Sequence, residues 1–308
     1  MTDWRNAATA AVIAPAMLLS HGATTAWGET AGVPPTGPVA KPVTARVKCD
    51  PAAFRVILDV GHTAEVPGAK SARGAFEYEF NLRLAKAIER DLLAAGFTRT
   101  VLMVTAEPPR RGLFKRVAYA TDLTGDLFLS VHHDSVPDSF LEKWEFEGQE
   151  RFYCDRFSGH SIFVASDNGA RNASLLFGRL LGLQLKARGL RYTPHYTQAF
   201  MGYRRRDLLD AEAGVYRYDQ LVVLKETRMP AVLLEAGSII NRDEELLLIT
   251  PERQSVISAA VTDAVKAFCV SRAPRSPQVA RRPLPSHAAT KATDLPAAAQ
   301  PASALPSR

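Results

Sequence analysis

Four side chains have the types and spacing to do chemistry together. His62 follows a β-rich run in Asp59-Val-Gly-His62, and His132 closes another in Ser130-Val-His132-His133-Asp134. Glu235 closes the last such run in Leu233-Leu-Glu235-Ala-Gly237, and Glu77 opens the first amphipathic helix. Neutral imidazole and carboxylate are the ligands of catalytic zinc, where three protein donors leave a fourth position for water. A bound ion lowers the pKa of that water towards about 7 and polarises a carbonyl. A further carboxylate then has to move the proton. His62, Glu77 and His132 are the candidate ligands and Glu235 the candidate base. Taken singly, three of the four have ordinary explanations. Gly-His after a strand is a common turn, Glu77 suits the positive end of a helix, and His132 could be a hydrogen-bonded core histidine. Glu235 does not, because an acid following Val-Leu-Leu in a buried strand is costly unless paired or metal-linked.

The elements that must position these residues alternate between strand and helix. Phe54–Val60 reads as a buried strand ended by Gly61, Tyr78–Ala95 as a helix closed by Gly96, and Thr100–Thr105 as a second strand. A helix over Leu113–Leu123, a strand over Asp126–Val131, a strand over Ser161–Ala165 and a helix over Ala170–Arg188 follow. Residues 191–218 read as a polar, aromatic loop. Leu221–Leu224 and Ala231–Glu235 read as the last strands, and Pro251–Phe268 as the last helix. Such alternation predicts a single α/β domain with a mostly parallel central sheet flanked by helices. In such sheets the site gathers at the C-terminal strand ends. Residues 136–159 break the rhythm. Their aromatic and charged mixture predicts an insertion over or beside the site, starting at it and forming a mobile cover near the cleft.

In this order the motifs resemble the catalytic domain of the zinc-dependent N-acetylmuramoyl-L-alanine amidases of bacterial cell-wall and cell-division systems, a zinc hydrolase/phosphorylase-like fold. Members read roughly D-P-G-H-G-G, D-P-G-A, G-x-x-E-K-x-x-N-L, S-I-H-A-N and V-E-x-G-F-x-S-N. This chain offers Asp59-Val-Gly-His62, Val66-Pro-Gly-Ala69, Gly74-Ala-Phe-Glu77-Tyr-Glu-Phe-Asn81-Leu82, Ser130-Val-His132-His-Asp134 and Leu234-Glu235-Ala-Gly237-Ser-Ile-Ile-Asn241. The resemblance covers about residues 54–269. It implies zinc on His62, Glu77 and His132, with Glu235 as the general base. It also implies hydrolysis of the bond between N-acetylmuramic acid and L-alanine in peptidoglycan. Asn81 fixes the register and sets Glu79 aside. The chain departs from the pattern at Val60, Thr63-Ala64, His133 and Asp134, so His133 stands beside His132 as a competing ligand.

Other readings fare less well. A non-catalytic or regulatory peptidoglycan-binding module of the same fold would not need Glu235. A carboxypeptidase usually pairs its ligands as H-x-x-E, whereas residues 63–76 separate His62 from Glu77 here. A Ser/His/Asp hydrolase lacks its G-x-S-x-G elbow.

Charge and termini bound the setting. The net charge of the 308 residues is +6. Beyond Cys269, Arg272, Arg275, Arg281, Arg282, Lys291 and Arg308 against Asp294 supply five of those charges. The fold itself is therefore near neutral, and no nucleic-acid partner is expected. Residues 1–28 read as a signal peptide, with Arg5 ahead of an apolar run from Ala7 to Leu19. Residues 29–48 read as a flexible spacer, 49–269 as the catalytic domain and 270–308 as a disordered Pro/Ala/Arg-rich tail. No stable membrane span is expected after processing, and the expected location is periplasmic or extracellular. Peptidoglycan is the expected partner; an activating protein is left open. There are three cysteines. Cys49 precedes the first strand at its lower end, and the last helix should return Cys269 to that end. A Cys49–Cys269 disulfide with Cys154 free follows.

Overall fold

The computed structural model describes residues 49–106 and 109–272. The expected signal peptide, the spacer and residues 273–308 of the tail lie outside the described residues. Val270–Arg272, assigned to the tail on composition, continue the last helix.

In chain order the elements are β1 (Val56–Val60), α1 (Glu77–Ala94), β2 (Val101–Met103), α2 (Pro109–Asp122) and β3 (Leu127–Asp134). A hairpin of β4 (Glu142–Phe146) and β5 (Gln149–Tyr153) follows, then β6 (Ser161–Val164), α3 (Arg171–Ala187), β7 (Leu208–Asp210) and β8 (Val215–Arg217). The chain closes with α4 (Val222–Lys225), β9 (Ala231–Ser238), α5 (Arg242–Leu248) and α6 (Pro251–Arg272). Seven strands form one sheet in the order β2-β1-β3-β9-β6-β8-β7. The β1–β2, β1–β3, β3–β9 and β6–β8 pairs are parallel, whereas β6–β9 and β7–β8 are antiparallel.

Alternation along β1 explains the layers, because successive side chains of a strand point to opposite faces. Val56, Leu58 and Val60 join the core beneath α1, α3 and α6, with Leu84, Phe177 and Phe268. Ile57 points the other way and packs with Val117 of α2, Phe128, and Val223 and Leu224 of α4. All five β1 residues are buried, as expected of a strand covered on both faces.

Two assignments change and the placement of the insertion is narrowed. The apolar run Leu221–Leu224 forms the one-turn helix α4 rather than a strand. A short Val/Leu run fits either state, and Asn168 decides. Its Nδ2 donates to the carbonyls of Leu224 and Thr227, each at 2.7 Å, catching the end of that turn. The presumed loop 191–218 contains β7 and β8, which extend the sheet beyond β6. The insertion forms the β4–β5 hairpin, which docks beside the site rather than over it. Trp144 Nε1 donates to the Ala72 carbonyl at 3.0 Å, and Arg242 stacks on the Tyr153 ring at 3.7 Å. None of residues 136–159 lines the cleft that holds His62, His132 and Glu235.

Cys49 and Cys269 form a disulfide with Cα atoms 5.3 Å apart, and Cys154 is free and buried. Among the described residues, no helix is long and apolar enough to cross a membrane.

Candidate metal centre

The site is assembled from three places along the edge where β1, β3 and β9 end. His62 sits in the turn after β1 with φ of 67°, a left-handed conformation that costs a non-glycine residue on the order of 1–3 kcal/mol. Arg116, buried on α2, holds that turn. Its guanidinium pairs with Asp59 at 2.6 Å and donates to the carbonyls of Val60, at 2.5 Å, and His62. Asp59 also accepts from the Ser130 hydroxyl at 2.7 Å, so β1, α2 and β3 share one buried network. Gly61 leaves space for the His132 ring, into which a Cβ would intrude.

Glu77 is the first residue of α1. The loop before the helix satisfies its opening amides, with Glu77 N donating to the Ala69 carbonyl at 2.9 Å and Tyr78 N to that of Pro67 at 3.0 Å. Gly68, at φ of 80°, allows the close approach, since a Cβ there would fall 2.5 Å from Glu77 Oε2. The buried carboxylate also accepts from Ala69 N and from Asn81 Nδ2, each at 3.2 Å. Asn81 additionally donates to the Gly61 carbonyl at 3.2 Å, tying α1 to the His62 turn.

His62 Nε2 lies 3.0 Å from Glu77 Oε2, and His132 Nδ1 lies 3.0 Å from Glu77 Oε1. Among the described residues, these three offer ligand atoms all within 4.8 Å of one another. Two imidazole nitrogens and a carboxylate oxygen so grouped have the donor chemistry of a divalent-metal site, zinc included. Burial acts to raise the Glu77 pKa, but hydrogen bonds to His132 and His62 outweigh it and hold the carboxyl well below its ordinary range. His133 does not compete for this position. It is buried behind the strand, its Nδ1 lies 2.8 Å from Asn81 Oδ1, and burial lowers its pKa to about 3.

Glu235 is the register partner of His132 across β3 and β9. It lines a cleft of about 900 Å³ together with His62 and His132. Among the described residues its buried Oε2 has no hydrogen-bond partner, which the physics of buried polar groups disfavours. Burial, with the charges of Asp134 and Glu77, raises its pKa well above the usual carboxylate range.

Sequence reasoning missed the neighbours of Glu235. Tyr196 donates to Asp134 Oδ1 at 2.8 Å and Oδ2 at 2.7 Å, and Arg204 lies 3.5 Å from Asp134 Oδ1. Burial lifts Asp134 to about 6 despite Arg204 and Tyr196. The available signal was Asp134 itself, standing where the resembled pattern has asparagine. Its partners lay in the segment read as a loop, 62 residues away for Tyr196.

A mostly parallel α/β domain that brings His62, Glu77 and His132 together at one edge of its sheet, with a further carboxylate in the same cleft, defines the class of α/β domains with a candidate metal site at the sheet edge. Within that class, the chain belongs to the N-acetylmuramoyl-L-alanine amidase family Amidase_3, whose model matches residues 56–267. It is 24% identical over 215 residues to the probable cell wall amidase LytH of Staphylococcus aureus, covering 69% of this chain and 57% of that protein. The chain thus spans little more than half the length of these curated relatives. Its fold is similar to that of the amidase Ami1 from Mycobacterium smegmatis, with TM-score 0.56 and 20% identity over 72% of this chain and 100% of the other. It also resembles the N-acetylmuramoyl-L-alanine amidase from Clostridium difficile 630, with TM-score 0.52 and 17% identity over 71% and 98% of the two chains.

Proposed function

We propose that this protein hydrolyses the amide bond between N-acetylmuramic acid and L-alanine in peptidoglycan, with zinc held by His62, Glu77 and His132. The observation that carries the reading is the shared cleft. The two histidines that meet Glu77 face the same space as a buried Glu235 oxygen that has no hydrogen-bond partner among the described residues. When bound, zinc supplies a Lewis acid that polarises the scissile carbonyl and acidifies water. Glu235 Oε2 accepts a proton from the attacking water and passes it to the leaving alanine nitrogen as the C–N bond breaks. The products are a lactyl carboxylate and a free α-amine. The Arg116–Asp59–Ser130 network and Asn81 hold the ligands in place. Tyr196 and Arg204 hold Asp134 beside the base.

The reading includes export, with residues 1–28 as a signal peptide, 29–48 as a spacer, 49–269 as the catalytic domain and the remainder as a basic tail. The Cys49–Cys269 disulfide supports an oxidising compartment.

The test is metal analysis of the purified protein with mass spectrometry of peptidoglycan it has digested. About one zinc per chain and new N-terminal L-alanine are expected, both lost after chelation. Intact muramoyl–alanine bonds after digestion with zinc-loaded protein would overturn the reading.

A further inference from the structure

One wall of the cleft is a run of arginines of which the proposed hydrolytic chemistry uses only Arg204. Arg204, Arg205 and Arg206 follow one another along it, with Arg217 also lining the space. Three of these four guanidiniums are engaged. Arg204 donates to the Ser135 carbonyl at 3.0 Å and lies 3.5 Å from Asp134. Arg206 donates to the carbonyls of Tyr203 and Arg205 at 2.8 and 2.9 Å, and its guanidinium carbon lies 3.9 Å from the Tyr218 ring centroid. Arg217 pairs with Asp207 and, at 3.5 Å, with Asp219, so the two aspartates of this wall are themselves occupied.

Arg205 differs. It is exposed, it lines the cleft, and its side chain makes no hydrogen bond, ion pair or ring contact with the described residues. A guanidinium stays charged at any physiological pH and presents paired donors that match a carboxylate. Beside it, Tyr203 is 92% exposed, so its ring offers a flat face against which a peptide can lie.

We propose that Arg205 is a specificity-determining residue that receives a carboxylate on the peptide arm of the substrate, so that acidic stems are preferred to amidated ones. The inference rests on the amidase reading for the identity of the ligand, and its physical content is a carboxylate-binding position on the cleft wall. A charge-assisted pair of this kind corresponds to roughly a tenfold preference.

The experiment uses the zinc-loaded full chain with N-acetylmuramoyl-L-alanyl-D-glutamate and its diamide, which has the same shape without the charge. Turnover and calorimetric binding are measured for wild type, Arg205→Gln and Arg205→Lys. Wild type should show a KM and Kd about tenfold lower for the acid. Arg205→Gln should erase that difference while leaving kcat on the diamide unchanged, and Arg205→Lys should restore part of it. Equal affinity of wild type for acid and diamide, or a preference that survives in Arg205→Gln, overturns the inference. The two readings separate cleanly. Arg205-dependent binding without turnover keeps the carboxylate site and sinks the amidase assignment, whereas turnover with no charge preference does the reverse. Absence of both binding and turnover overturns both.

Discussion

At the scale of single residues, the site depends on side chains that never touch an ion. Asn81 donates to Glu77 and Gly61 while contacting His133, so it sets the orientation of one candidate ligand and the turn carrying another. Outer partners of this kind are worth 10–100-fold in metal affinity. Asn81→Ala should therefore weaken zinc binding by roughly that factor, read by competition with a chelator, although all three donors remain. Unchanged affinity would show that the network is ornamental. Glu235→Gln separates base from ligand. It should retain zinc and lower kcat by about 10²–10⁴-fold, and a variant turning over at the wild-type rate would remove Glu235 from its role. The positive φ of His62 belongs here too, since strain at a ligand persists only where its surroundings over-determine it.

Among elements, the polar contact of α2 with the β1–β3 edge rests on a buried guanidinium. Arg116 brings a buried cation to Asp59 and to two carbonyls of the His62 turn. Arg116→Ala leaves the Asp59 charge buried and uncompensated, and breaking such a pair costs about 3–5 kcal/mol. Urea denaturation should show that loss, and a change below about 1 kcal/mol would mean that water replaces the guanidinium. His160, just before β6, offers a second test. It is buried, and burial lowers its pKa to about 4. The unfolded chain takes up this proton near pH 6.5 and the folded protein only near 4, so stability is full above 6.5 and falls as pH drops through that window. The loss reaches about 3 kcal/mol. His160→Leu should flatten the stability profile between pH 4 and 6.5 by up to one proton, and an identical slope would show that another group governs the acid limb.

For the whole molecule, the Cys49–Cys269 bond joins the two ends of the folded region across 220 residues. A chain-entropy treatment of so long a loop gives on the order of 5 kcal/mol as an upper figure. The double variant Cys49→Ser/Cys269→Ser should melt well below wild type yet bind zinc with the same stoichiometry, because the bond lies at the end of the sheet opposite the ligands. Equal melting temperatures in oxidised wild type and the variant would show that α6 packing alone holds the ends. Long-range closure also explains why this bond was legible beforehand. It follows from strand direction and helix return, which the alternation of elements already implies.

What the sequence determined by itself was local or short in range. The continuous burial of Val56–Val60, the helical spacing from Phe80 to Leu92 and the turn that carries His62 are written in residue periodicity and turn chemistry, whereas β3 and β9 run on past His132 and Glu235 to Asp134 and Ser238. The register of Glu77, four residues before Asn81, came from the resemblance to the amidase motif. The tertiary structure alone decided what depends on distant partners. Leu221–Leu224 coils into a helix turn because Asn168 waits for its carbonyls. The direction of β6 is set by pairing with β9, and the hairpin of the insertion lies beside the cleft because Arg73 and Arg242 offer it cation faces. Asp134, Tyr196 and Arg204 meet only because β3 and the segment after α3 converge on one edge. A buried charge is stabilised by groups brought from elsewhere in the chain, and a periodic pattern carries no record of who those groups are.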